Sequence, residues 1–329
     1  MRAAKAAAIS GFLAAVALLP LALGTFRTLQ CAYVGIYFVA ILGLQLLTGY
    51  TGQISLGHGA FMAIGGYTTA ILAAKEGVGY LWTLPIAAVI AGAAGFAVGV
   101  PALRLSGLYL ALATFGIAVA MPALLAKFPG LTGGSAGLSF PLVGRTLGLS
   151  ANRWLYYLSW SVAVLALAAA WLLVRGRLGR AFQAVRESEV AAAAFGVDPA
   201  LHKTLAFGVS AAFAGVAGSL YAIANLSYVS PETFPVTLSI FLVVGAVAAG
   251  LGSLWGIVFG ALLLEFLRFY SPSIARGLNW VLHTGFDPQS AGVPSVIFGG
   301  VLVLVMLLLP TGAAGLGRRL LERYASGAR

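Results

Sequence analysis

Charge is scarce in this chain. Of its 329 residues only 8% are Asp, Glu, Lys or Arg, against 61% hydrophobic, and the mean hydropathy is +1.01. A soluble domain carries about a quarter charged residues to keep its surface wet, so most of this chain faces lipid or other buried helices. Acids are scarcer still, with 8 Asp and Glu beside 19 Lys and Arg. The single cysteine, Cys31, excludes an internal disulfide and any cysteine-based metal framework. Three histidines, His58, His202 and His283, stand far apart without ligand spacing, so they read as interfacial or loop residues and no metal site is expected. There is no complete Walker A motif, no HExxH, no GxSxG and no pair of carboxylates at spanning depth. No catalytic residue is therefore expected, and no cofactor bound by this chain.

What is abundant is long apolar sequence, rich in Ala, Leu, Val and Gly and without strict alternation. That pattern fits spanning helices rather than the ten-residue dyads of an outer-membrane barrel. Candidate spans lie near 8–25, 30–47, 59–74, 81–101, 107–127, 154–174, 202–224, 236–251, 254–270 and 294–310. The expected fold is an all-α polytopic membrane protein, a bundle of about ten transmembrane helices (about 8 to 10). The N-terminus starts basic and turns apolar, like a signal peptide, but the run is long for a signal core and more spans follow at once, so it reads as a retained first helix.

The net charge of +11 sits in the segments that flank the spans. It reads as topology signals and contact with anionic lipid headgroups, with no nucleic acid implied. An inside N-terminus gathers Arg2, Lys5, Arg104, the cations from Arg175 to Lys203, and Arg318, Arg319, Arg323 and Arg329 on one side. Arg27, Lys75, Lys127, Arg145, Arg153, Arg268 and Arg276 fall on the other. The positive-inside rule then makes both termini, the 175–203 segment and a basic tail at 317–329 cytoplasmic.

Small residues four apart mark close helix packing. Ser210, Ala214 and Gly218, flanked by Ala211, Gly215 and Ser219, form such stripes, as do Gly256 and Gly260. The same stripes could line a path. Only one acid falls within a span, Glu265, with Arg268 on the same helical face, and a local i,i+3 ion pair accounts for it. With so few ionisable groups in the membrane, the energy for any transport is expected from outside the chain.

Two interruptions stand out. The first, near 49–59, contains Gly52-Gln-Ile-Ser-Leu-Gly57-His58-Gly59, which has the glycine spacing of a phosphate loop but lacks its Lys and Ser/Thr. It reads instead as a broken-helix segment, tolerated in a bilayer only where protein or a water-filled cavity satisfies the backbone. Gln53, Ser55 and His58 are its candidate translocation-path residues, with plain helix packing as the alternative. The second interruption is cytoplasmic. Good helix formers run from Arg180 to Phe195, Gly196 ends the helix, Asp198 suits an N-cap and Pro199 a first turn. A short helix near 180–195 with a flat alanine face suits docking into a groove of another protein.

The stretch GRAFQAVRESEVAAAAFGV at 179–197 resembles the cytoplasmic EAA-type loop of ABC importer permeases, in the form found in the branched-chain amino acid permease family of the LivM/LivH group, LivM type. The resemblance extends in order along nearly the whole chain. It takes in TGQISLGHGAFMAIGGYT from Thr51, LRLSGLYLALATFG from Leu103, LTGGSAGLS from Leu131, KTLAFGVSAAFAGVAGSLYA from Lys203, VSPETF from Val229, GLGSLWGIVFGALLLE from Gly250 and the closing LLPTGAAGL. One departure is that Val190 stands where the general loop has Glu, with Glu189 one residue earlier, so either Glu187 or Glu189 would meet the ATPase.

The resemblance implies one permease domain over 1–329, with the coupling loop at 175–203, in a bacterial cytoplasmic (inner) membrane. It implies a second permease subunit of the LivH type, two ABC ATPase subunits of the LivG/LivF type that carry ATP and Mg, and a periplasmic or lipid-anchored substrate-binding protein. Gly179, Arg186, Glu187, Glu189, Ala191, Ala192 and Gly196 would form the ATPase-coupling element. Leu, Ile and Val would be the cargo, with urea, short amides or other amino acids as alternatives within the same importer class. An ion-coupled secondary transporter is the rival from another class.

Overall fold

The computed structural model describes residues 16–105, 107–141, 148–225, 227–282, 293–308 and 312–315. The N-terminal half of the expected first span, Arg145, His283 and the basic tail at 317–329 lie outside the described residues.

Eleven helices organise the described chain: α1 Thr25–Leu44, α2 His58–Lys75, α3 Tyr80–Ala102, α4 Leu108–Lys127, α5 Ala151–Arg175, α6 Arg177–Glu187, α7 Glu189–Ala194, α8 Pro199–Ala224, α9 Val236–Ala249, α10 Ile257–Leu282 and α11 Val293–Leu308. Short helical turns and a helical stretch at 16–22 complete them. A two-residue pair, β1 Leu138–Ser139 with β2 Tyr228–Val229, joins two connecting segments in antiparallel register, Leu138 opposite Val229.

Among the described residues seven helices are long and apolar enough to cross a membrane: Thr25–Tyr50, Tyr80–Ala102, Leu108–Lys127, Ala151–Arg175, Pro199–Ala224, Pro231–Ala249 and Ile257–Ile274. The expectation of about ten is larger for physical reasons. The stretches at 59–74 and 294–310 do form helices, α2 and α11; α2 is diluted by His, Gly and Thr, and the described part of α11 is 16 residues.

α1 is the axis of the bundle. Every residue from Ala32 to Leu47 is buried, which a helix hydrophobic on all sides requires. It runs on without interruption into a π-helix, Gln45–Tyr50. α5, α8, α9 and α10 pack around it. The stripes on α8 are packing surfaces. A Cβ on Gly218 would overlap the Met62 carbonyl of α2, and one on Gly215 would strike Ala91 and the Ala87 carbonyl of α3. The Ser219 hydroxyl bonds Thr69 of α2, and Ser210 lies against Gly43 of α1. Gly260 and Gly256 bring α10 onto Gly245 and Ala249 of α9 in the same way. Without a hydrophobic drive between helices, such backbone approach is what holds them together.

The bundle has two distinct ends. At the Thr25 end, Asn152 Nδ2 donates to the Thr25 carbonyl (3.2 Å), Trp154 Nε1 to the Tyr80 hydroxyl (2.8 Å), and Lys75 Nζ to the Gly130 carbonyl. At the Tyr50 end lie the α5–α6 elbow, α7 and the start of α8.

Candidate functional site

The break after α1 is a return path along the bundle, with Gln53, Ser55 and Gly57 buried and Gly52 and Ile54 exposed. Thr51 N–H and Gln53 N–H both donate to the Leu47 carbonyl, and Gly52 takes a φ of 74° that favours glycine. Residues 52–57 then run non-helically back alongside α1, so that His58, the first residue of α2, sits beside Gly43, about two turns before Tyr50. Side chains of neighbouring helices satisfy this backbone. Thr114 Oγ1 of α4 accepts from Leu56 N–H (3.0 Å), and Ser239 Oγ of α9 accepts from Gly59 N–H (2.9 Å). Thr48 Oγ1 donates to the Gln53 carbonyl (3.0 Å). An irregular segment at this depth is stable only with such partners.

A buried glutamine ties the break to the next connection. Gln45 Nε2 donates to the carbonyls of Ala246 (2.9 Å) and Gly250 (3.2 Å), and Gly252 N–H donates to its Oε1 (2.9 Å). Gly49 leaves no room for a side chain between Gln45 and Gly252. Onto this junction comes a cation from outside: Arg186 Nη1 of α6 donates to the Gly49 carbonyl, and its Cγ packs over the Cα of Gly52. Three segments that are far apart in sequence thus meet within one hydrogen-bonded cluster.

α6 reaches that cluster because one face of it is apolar. Gly179, Ala181, Phe182 and Val185 are buried while Arg177, Arg180 and Glu187 face outward. Gly179 is required sterically, since a Cβ there would overlap the Val174 carbonyl where α5 turns into α6. The single helix expected over 180–195 is in fact two. Ser188 adopts an extended backbone and its hydroxyl accepts from Ala191 N–H (3.2 Å), capping α7. Serine competes with a helix interior through this bond and is better placed at an N-cap. Gly196, at φ 80°, ends α7, and Asp198 Oδ1 caps α8 through Ala200 N–H (2.9 Å) and Leu201 N–H (3.3 Å).

The residues singled out from sequence separate into three groups. Arg186 and Gly179 join the element to the bundle. Glu189 pairs with Lys203 at 2.6 Å across the turn, whereas Glu187 has no ion-pair partner among the described residues. Ala191 is exposed and Ala192 buried, while Val190 and Phe195 stand 82% and 88% exposed on α7 and its end, apolar surface with nothing over it. In the break, Gln53 and Ser55 are buried and make local bonds: Gln53 Nε2 donates to the Thr51 side-chain Oγ1 (3.3 Å), and Ser55 Oγ accepts from Gly57 N–H (3.3 Å). His58 is not the loop or interfacial residue expected. Its ring is buried beside the Ala40 carbonyl, with neither nitrogen in hydrogen-bonding geometry, because the return path carries it into the bundle. Sequence reading passed over Gln45, Thr114, Ser239 and Gly252. The signal for Gln45 was there, a lone amide within an apolar span.

The chain matches the family model for the branched-chain amino acid transport system permease component over residues 28–309. This chain belongs to that permease family. It is 35% identical to the high-affinity branched-chain amino acid transport system permease protein LivM of Escherichia coli K12 over 302 residues, which covers 84% of this chain and 67% of that protein. The LivH permease protein of Salmonella typhimurium is 28% identical over 300 residues, 85% of this chain and 91% of its own length. A probable LivM of Methanocaldococcus jannaschii is 21% identical, over 84% and 90%. No solved structure matches. The family match spans both the break at 52–57 and the α6–α7 element.

Proposed function

We propose that the chain is the membrane permease subunit of a binding-protein-dependent ABC importer for branched-chain amino acids, lying in a bacterial inner membrane with both termini in the cytoplasm. The observation that carries this reading is the Arg186 bond to the Gly49 carbonyl. It connects an outward-facing element, α6–α7, to the broken segment inside the bundle, which is the connection a transporter driven from outside its own chain requires. In this reading α6 and α7 form a bent coupling element that seats in an ATPase subunit, with Val190 and Phe195 as apolar anchors and Glu187, which has no ion-pair partner among the described residues, as the charged contact. ATP and Mg stay on two such partner subunits. Their closure moves α6, Arg186 carries that movement to Gly49 and Gln45, and residues 52–57 with the start of α2 shift between outward and inward access.

A LivH-type subunit completes the path and a periplasmic or lipid-anchored protein delivers the amino acid. The relatives' names are those of branched-chain amino acid permeases, which supports Leu, Ile and Val as cargo. Co-expression with the chromosomal neighbours and measurement of ATP-dependent uptake of labelled leucine tests the whole reading. Arg186→Gln should leave the complex assembled and hydrolysing ATP while uptake falls about tenfold or more, the scale of losing one charge-assisted bond at a coupling point. Uptake at the wild-type rate in that variant would remove the proposed linkage.

A further inference from the structure

At the Thr25 end of the bundle, α1, α8 and α10 converge on two charges. Glu265 and Arg268 are one turn apart on α10, with Oε2 and Nε at 4.0 Å, the limit of an ion pair. This contact does not satisfy either group. Glu265 Oε2 is buried without a hydrogen bond, and its side chain is only 7% exposed. Arg268 has closer company elsewhere: its guanidinium carbon lies 4.2 Å from the centre of the Tyr33 ring, and its Nη1 donates to the hydroxyls of Tyr37 (3.1 Å) and Tyr221 (3.5 Å). Tyr33 and Tyr221 meet edge to face at 5.7 Å, and Phe234 stands 5.7 Å beyond Tyr221. The Arg268 side chain nevertheless stays 39% exposed.

A pair of charges within a spanning helix is costly, and a loose one holds helices together poorly compared with apolar packing. The small-residue contacts already hold this bundle. An unbonded carboxyl oxygen, a guanidinium that stays partly exposed and a wall of aromatic rings are together complementary to something else. A group that carries a cation and an anion on one carbon fits: its carboxylate meets the planar donors of Arg268, its ammonium meets Glu265, and an aliphatic side chain lies on the rings of Tyr33, Tyr221 and Phe234. Urea or a short amide has no charge to offer and would leave both residues uncompensated.

We propose that Glu265 and Arg268, with Tyr33, Tyr37 and Tyr221, form a binding site for a zwitterionic α-amino acid in the permease itself. It rests on the importer reading above and deepens it: the site lies at the end opposite Arg186, where a delivered substrate enters. In the conformation described here Arg268 Nε lies 4.0 Å from Glu265 Oε2, and the substrate inserts between the two charges.

The test uses the purified complex with its partner permease and ATPases but without the binding protein, and equilibrium binding of labelled L-leucine. Leucine should bind and be displaced by unlabelled leucine at least tenfold better than by leucinamide, which lacks the carboxylate, or by 4-methylpentanoate, which lacks the ammonium. Arg268→Gln should abolish the preference for leucine over leucinamide, and Glu265→Gln that over 4-methylpentanoate. Arg268→Lys should restore part of the first. A merely structural pair would alter yield without exchanging these preferences. The proposal is overturned if the wild-type complex binds no leucine, if it binds the two analogues as well as leucine, or if assembled variants keep the wild-type preferences. The wild-type competition decides the matter even where a variant fails to assemble. ATP-driven leucine uptake by the wild-type complex is measured separately, so its loss would count against the importer reading rather than against this site.

Discussion

Replacing Gln45 by leucine removes an amide from the centre of the bundle at nearly constant volume, so the loss is one of hydrogen bonds rather than of packing. Gln45 is fully buried and makes three bonds, to Ala246, Gly250 and Gly252. At the ~0.6 kcal/mol average found for hydrogen bonds between membrane helices, three come to about 2 kcal/mol. The Gly252 N–H, left without its acceptor, raises the total toward about 4 kcal/mol, since a stranded buried group costs about 1 to 3 kcal/mol. Gln53 supplies the internal comparison, being buried in the same segment with one long side-chain bond of 3.3 Å, so Gln53→Leu should cost under about 1 kcal/mol. Unfolding of the purified complex in bicelles by increasing SDS, followed by tryptophan fluorescence, measures both. A cost for Gln53→Leu equal to or above that for Gln45→Leu would refute the idea that Gln45 pins the π-helix to the α9–α10 connection.

Gly218→Val drives a branched side chain into the Met62 carbonyl and should separate α2 from α8 at a cost of about 1 to 3 kcal/mol or more, seen as loss of the monodisperse peak in size-exclusion chromatography; a wild-type yield would contradict the close approach. Asp198→Ala removes the cap of α8 and should lower stability by about 1 kcal/mol, with Asp198→Asn retaining most of it in the same SDS titration. Glu189→Gln breaks a pair in which the carboxylate is 53% exposed, so stability should change by less than about 1 kcal/mol, while Glu187→Gln should lower leucine-coupled ATP hydrolysis more than Glu189→Gln does; the reverse order would reassign the ATPase contact.

Helix positions were legible because an apolar run long enough to span a bilayer announces itself in composition alone. The expected spans at 81–101, 154–174 and 202–224 each fall within a helix of the bundle, that at 107–127 does so except for Gly107, and that at 30–47 runs from α1 into the π-helix. Local stops were legible too, since Gly196, Asp198 and Pro199 act through their own backbone and side-chain chemistry. Ser188 carried the same kind of signal for the break between α6 and α7, hidden by the helix formers on either side. His58 could not be placed this way, because its burial depends on how far residues 52–57 run back along α1.

The sequence by itself determined that this chain is a polytopic helical membrane protein of the branched-chain permease family, because hydropathy, small-residue spacing and ordered motifs are properties of neighbours in the chain. Only the tertiary structure decided that Arg186 rests on Gly49, that Gln45 holds Gly252, and that Arg268 lies among Tyr33, Tyr37 and Tyr221 rather than on Glu265 alone. Those partners are 137, 207 and up to 231 residues apart, and no local periodicity encodes a contact across such a distance. They depend on how far each helix slides and rotates against its neighbours, as in the close glycine approaches of α1 to α8 at Gly43 and of α10 to α9 at Gly260.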